Sequence, residues 1–275
     1  MTILAGATQE PAALAAPARR RAWARPSLLP WALPLALVAL WQALSALGLI
    51  SARVLPAPLD VLRAALALME GGQLLRDIGI STQRALLGFA LGGGLGFALG
   101  LINAVSPLSE RLLDSSVQML RNIPHLALLP LVILWFGVSE QARLFLVALG
   151  VFFPLYANTF HGIRTVDHGL IEMGQVYGLS RWALFWHILL PGAMPSILVG
   201  VRYGLGVMWL TLIVAETLAA NSGIGYITMN AREFMQSDVV VMGIVLYALL
   251  GKLADSLARL LERWLLAWHP RYGRA

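Results

Sequence analysis

Glu172-Met-Gly-Gln-Val-Tyr-Gly-Leu-Ser-Arg-Trp-Ala-Leu-Phe-Trp-His-Ile-Leu-Leu-Pro191 (EMGQVYGLSRWALFWHILLP, residues 172–191) lies between two long oily runs. Its first half is too polar to cross a bilayer, and its punctuation is too regular for an idle linker. Gly178 predicts a left-handed cap that closes a short helix over about 167–177. Ser180 is placed to cap a second helix, and Pro191 predicts the end of that second helix. The pattern is two short, hinged helices lying beside a membrane rather than through it. An amphipathic helix presented in this way can enter an apolar groove of a partner protein or rest on lipid. A lipid-resting helix usually carries a Lys/Arg-rich polar face, whereas Arg181 is the only Lys or Arg between Asp167 and Pro191.

The rest of the chain supports a membrane setting. Of its 275 residues 59% are hydrophobic and 12% charged, with a mean hydropathy of +0.75. Soluble domains carry about 25% charged residues, so the composition is that of an integral membrane protein. The pI near 10.3 raises nucleic acid as a partner. The basic residues form no stripe with interleaved aromatics; they gather at the ends of oily segments, where the positive-inside rule places them. There is no cysteine, which removes disulfides and thiolate metal sites.

Residues 1–26 are Ala/Pro-rich, include Arg19, Arg20, Arg21 and Arg25, and are expected to be a cytoplasmic tail. A signal peptide also begins with basic residues, but the run from Leu28 to Ile50 exceeds the ~7–15 residues of its apolar core and is long enough to span. Further spans are expected near 79–104, 116–136, 142–160, 193–219 and 238–262. Residues 51–78, with mixed charge and Pro56 and Pro58, read as short surface helices. Six spans with both basic ends inside satisfy the sidedness rule. They place the loop 161–192 in the cytoplasm and leave 269–275 as a second cytoplasmic tail, around one membrane domain, 27–268.

Within the second span Gly88, Gly92, Gly96 and Gly100 recur every four residues along one face. Small residues at that spacing let helix backbones approach closely where lipid offers no hydrophobic gradient. The third span holds Pro124 and Pro130, each expected to bend an interior helix.

The opening stretch resembles the loop of ABC-importer permeases written EAA, three residues, Gly, nine residues, Ile-x-Leu-Pro. Glu172-Met173-Gly174 fills the first slot, Gly178 the glycine, and Ile188-Leu189-Leu190-Pro191 the end; Met173 and Gly174 stand where the pattern has alanines. The stretches 118–137, 208–217, 220–225 and 229–234 are similar to the permease subunit of aliphatic-sulfonate importers, a likeness running from about 28 to 268. Relatives for taurine, nitrate and thiamine precursors share much of that frame. The resemblance implies an all-α, type I ABC importer permease in the bacterial inner membrane. It further implies a homodimer, two cytoplasmic ATPase subunits that bind ATP, and a periplasmic substrate-binding protein. Within that machine Glu172, Gly178, Ile188, Leu190 and Pro191 would belong to the element that couples to the ATPase.

Chemistry-bearing residues fit a conduit better than an enzyme. The Gly251-Lys252 pair has Leu246 and Leu253 where a phosphate-binding loop needs Gly and Ser/Thr, and no hydrolase or zinc motif occurs, so neither a bound cofactor nor a metal is expected. An intramembrane enzyme is the rival class. Ionisable residues inside spans are costly, about 2.5–3.5 kcal/mol at a helix centre, and therefore informative. Glu216 is expected either at a gate or in a structural hydrogen bond, and Lys252 and Asp255 as a pair on one face. Arg121 and His125, four apart on one helix, and Arg202 are the cationic candidates for an anionic substrate, with snorkelling the ordinary alternative.

Overall fold

The computed structural model describes residues 29–268. The expected tails at 1–26 and 269–275 therefore lie outside the described residues. The described chain is helical: α1 (Leu29–Ala46), α2 (Pro58–Glu70), α3 (Gln73–Val105), α4 (Pro107–Arg121), α5 (His125–Phe136), α6 (Glu140–Arg164), α7 (His168–Val176), α8 (Arg181–Leu218), α9 (Ile224–Glu233) and α10 (Ser237–Leu265). Four of these, α3, α6, α8 and α10, are long and apolar enough to cross a membrane. The third expected span is instead a broken one: α4 and α5 meet at 82° and together make a fifth candidate. The break falls at Asn122–Pro124, because a residue before proline is pushed out of helical backbone. Pro130 starts the regular helix that follows rather than bending it. The first expected span corresponds to α1, a shorter apolar helix among the described residues.

At the centre α6 is sandwiched between α3 and α8. On the α3 side the four spaced glycines lie against the α6 backbone. A Cβ on Gly92 would collide with the Ala148 carbonyl oxygen, one on Gly96 with that of Phe152, and one on Gly100 would come within 2.7 Å of that of Tyr156. At Gly88 the obstacle is the Val147 side chain, 2.5 Å away. Such spacing brings Cα–H groups onto carbonyl oxygens, a weak but repeated attraction. On the other side the sequence reading missed a second seam. Gly162 meets Ser196, Gly200 meets Asn158, and Gly204 meets Leu155 and Val151, each with under 3.5 Å of room for a Cβ. Ser196, Gly200 and Gly204 recur every four residues along α8, the same spacing as the α3 row, and Gly162 faces them from α6. Ala85, Val147, Val151, Leu155, Met208 and Leu212 fill the core between the three helices.

Candidate functional site: a hinged protrusion and a buried ion cluster

At one end of the bundle α6 gives way to the 165–189 segment. Asp167 caps α7, its carboxylate accepting from the Gly169 N–H at 2.8 Å. The helix closes with Gly178 at φ +75°, the Gly178 N–H donating to the Gln175 carbonyl and the Leu179 N–H to that of Gly174. These two crossed bonds and the left-handed glycine form a Schellman cap. Ser180 then caps the start of α8 by accepting from the Ala183 N–H. Gly174, one of the two departures from the EAA pattern, is buried. A Cβ there would lie 2.6 Å from Ile188 Cδ1 and 2.8 Å from Leu184 Cδ1. The small residue lets α7 fold down onto the base of α8.

Pro191 does not end the second helix, contrary to expectation. The chain passes through a π-helical turn at Phe185–Leu189, where the Leu190 N–H donates to the Phe185 carbonyl, and continues as one helix to Leu218. Proline removes one donor and crowds the preceding turn; the wider π register just before it absorbs both effects. The protrusion is thus joined directly to a spanning helix. Ile171, Ile188 and Leu190 pack against the core of Ile163, Val166, Ala193 and Ile197. Outward, α7 presents Met173, Val176 and Tyr177, the last two more than three-quarters exposed. Glu172 is exposed beside them and makes no ion pair among the described residues.

At the opposite end of the bundle Glu216 is fully buried in an ion cluster. Its carboxylate accepts from Arg84 Nη1 at 2.8 Å, from the Gly225 N–H at 3.0 Å and from the Tyr247 hydroxyl at 3.3 Å. Ser81 Oγ lies 2.8 Å from both carboxylate oxygens. Arg84 is also held by Glu140, with Nε 2.8 Å from Oε2, and donates to the Ser222 carbonyl and hydroxyl. Three successive backbone N–H groups at the start of α9 are capped from other helices: Gly223 by Asp77, Ile224 by Ser81, Gly225 by Glu216. Helix N-termini leave such donors unsatisfied and favour negative charge. Gly223 stands at φ +105°, and a Cβ there would lie 2.5 Å from Glu216 Oε1. Of the two expectations for Glu216, this geometry is the structural hydrogen bond. Nothing in the local sequence around Ser81, Arg84 or Glu140 signals their convergence, since they lie on different helices from Glu216.

The cationic candidates do not converge. Arg121 and His125 share no helix face, because the break between α4 and α5 separates them. Arg121 is exposed, whereas His125 Nε2 is 2.9 Å from Thr211 Oγ1 and ties the bend to α8. Arg202 pairs with Asp255 on α10 at 2.7 Å. The expected Lys252–Asp255 pair is present but loose, at 3.9 Å, and Arg259 holds the same carboxylate more closely.

Four apolar helices of spanning length, an ion cluster buried at one end and a hinged protrusion with an exposed apolar face at the other are the features of a multi-pass membrane protein. Among solved structures the fold is similar to an amino acid ABC transporter (TM-score 0.57, 16% identity, covering 72% of this chain and 97% of that one). It is also similar to the inward-facing methionine ABC transporter MetNI (TM-score 0.53, 18% identity, 68% and 95% covered). Residues 92–267 match the family model for the binding-protein-dependent transport system inner membrane component, and the chain belongs to that family. Its sequence is 62% identical over 243 residues to the aliphatic sulfonates transport permease protein SsuC of Escherichia coli K12, covering 88% of this chain and 92% of that one. The SsuC protein of Bacillus subtilis 168 is 46% identical over 257 residues (93% and 92% covered). The taurine transport system permease protein TauC of E. coli K12 is 35% identical over 238 residues (85% and 86% covered).

Proposed function

We propose that this chain is the membrane subunit of an ATP-driven importer of aliphatic sulfonates. The observation that carries the substrate class is the 62% identity to the E. coli sulfonate permease, against 35% to the taurine permease over a comparable length. Uptake is powered by ATP bound and hydrolysed on a separate cytoplasmic subunit, two of which serve a homodimer of this chain. A periplasmic binding protein delivers the substrate to the opposite face. Residues 27–268 form the permease domain, 161–192 face the cytoplasm, and both tails lie on that same side of the inner membrane.

Coupling runs through α7 and the base of α8. The exposed face of Met173, Val176 and Tyr177 supports this reading, because three apolar residues at helical spacing are what a hydrophobic groove accepts. Glu172 adds a charge at the rim. Gly178 sets the turn, while Ile188, Leu190 and Pro191 anchor the hinge to the spanning helix. The decisive test is the complex of this chain with its ATPase and binding protein in proteoliposomes. Pentanesulfonate should stimulate ATP hydrolysis and accumulate inside. Accumulation of taurine or nitrate in its place would move the chain to another substrate class.

A further inference from the structure

A groove of about 500 Å³ runs between α8 and α10. Its wall is apolar, with Val199, Tyr203, Gly206 and Leu210 from α8 and Gly251 from α10; its polar end is Arg202 and Asp255. A Cβ on Gly206 or on Gly251 would meet nothing within 4 Å, so the missing side chains of these two glycines are part of what leaves the groove open. Around the polar end stand three cations, Arg202, Lys252 and Arg259, and one carboxylate, Asp255. The cluster therefore carries two positive charges in excess. Arg202 uses only Nε on Asp255, and its two terminal nitrogens donate to no acceptor among the described residues. Arg202, Lys252 and Arg259 are each 42–60% exposed on helices of spanning length. Charged groups on such helices cost several kcal/mol against hydrocarbon and face water, protein or a ligand instead.

We propose that this groove holds the aliphatic sulfonate in transit, its head on Arg202 and its alkyl chain along Tyr203, Gly206 and Leu210. The assignment rests on the sulfonate reading above and deepens it. An anionic head matches the surplus cations, and a tetrahedral sulfonate suits the free edge of a guanidinium fork. The apolar wall beside the cations matches a tail attached to that head. The volume lies within the range of small-molecule pockets, about 300–1,000 Å³. Asp255 serves as the resident counter-ion, holding Arg202 by its Nε and leaving the two terminal nitrogens to the arriving sulfonate. The groove thereby selects by tail length as well as by charge.

The test uses the complete importer in proteoliposomes, with ethanesulfonate and octanesulfonate as probes and with phosphatidylcholine alone or mixed with phosphatidylglycerol. Gly206→Leu fills the groove without touching the core. It should lower octanesulfonate uptake about tenfold or more and leave ethanesulfonate within about twofold. Arg202→Gln should raise KM for both probes with normal membrane levels. Equal effects of Gly206→Leu on both probes, or no effect on either, overturn the proposal. So does a loss in Gly206→Leu that tracks phosphatidylglycerol content rather than tail length, which identifies the occupant as lipid. A wild-type complex that takes up neither sulfonate but imports another anion instead removes the functional reading itself, and the groove assignment with it.

Discussion

Replacing Glu216 by alanine tests whether the buried ion cluster holds the far end of the bundle together. The Glu216 side chain is 0% exposed and that of Arg84 only 6%, so removing the carboxylate leaves a buried guanidinium short of one of its two carboxylate partners. Breaking a buried pair from one side costs about 3–5 kcal/mol. Arg84 keeps Glu140 and the Ser222 carbonyl, which sets the loss for Glu216→Ala near the lower limit, about 3 kcal/mol. Arg84→Ala should cost more, because Glu216 then keeps only neutral donors. Glu216→Gln retains shape and exchanges charge-assisted for neutral hydrogen bonds, a difference of about 1–2 kcal/mol. The Arg84→Ala/Glu216→Ala double variant should fall short of the sum of the singles by about 2 kcal/mol, as expected for residues in one network. The assay is reversible unfolding of the full chain in lipid nanodiscs, followed by tryptophan fluorescence. A Glu216→Ala loss below about 1 kcal/mol, with singles that add within about 0.5 kcal/mol, would refute a clamping role.

Two further outcomes follow from the geometry and one from the arginine-rich ends of the sequence. Gly92→Leu and Gly96→Leu should each sharply reduce folded protein in the membrane, because the new side chain meets α6 backbone, whereas Gly94→Leu, facing open space, should leave it unchanged; quantitative membrane blots decide, and equal levels would dismiss the close-packed seam. Gly178→Val should leave membrane levels intact yet lose ATPase retention in co-purification, since its φ of +75° costs a β-branched residue about 1–2 kcal/mol or more, with Gly178→Asn intermediate. Reporter fusions after residue 26 and after residue 270 should both read cytoplasmic, and a periplasmic signal from either would reverse the proposed orientation.

How far the fold was legible depended on whether a feature is local. The four long helices, the row Gly88–Gly100, the Gly178 cap and the Ser180 cap each rest on a period or a single residue's backbone preference, and those signals lie next to one another in the chain. Pro191 reads as a helix end in the sequence, whereas helix continuation depends on a π turn five residues wide, which has no residue signature. Spacing alone puts Arg121 and His125 on one face, although Pro124 between them carries the information that the helix breaks. The ion cluster was invisible for a different reason. Asp77, Ser81, Arg84, Glu140 and Glu216 come from three helices, and only packing of α3, α6 and α8 brings them together around the N-terminus of α9. The groove charges were half legible: Lys252 and Asp255 share a helix, but Arg202 reaches them only across the α8–α10 contact.

These features combine in α8. It runs unbroken from Arg181 to Leu218, a rise of about 57 Å at 1.5 Å per residue. One end carries the base of the protrusion, with Ile188 seated over Gly174; the middle carries Arg202 and the groove; the far end carries Glu216. Along its length the seam Gly162–Ser196, Asn158–Gly200 and Leu155–Gly204 presses it onto α6, and α6 is pressed in turn onto the glycine row of α3. Packed helices joined this closely shift as a body rather than deform side chain by side chain. A displacement imposed on α7 therefore has one stiff route into the membrane. It moves the groove wall carried by α8 relative to α10, whose own hold on the bundle includes the Arg202–Asp255 pair and the Tyr247–Glu216 bond. The pair nearest the protrusion is partly exposed and the bond farthest from it is buried. The same motion thus acts on a solvent-screened pair at the groove, while the far end keeps a buried carboxylate held by Arg84, Ser81 and the Gly225 N–H as well as by Tyr247, the fixed point about which α8 and α10 can part.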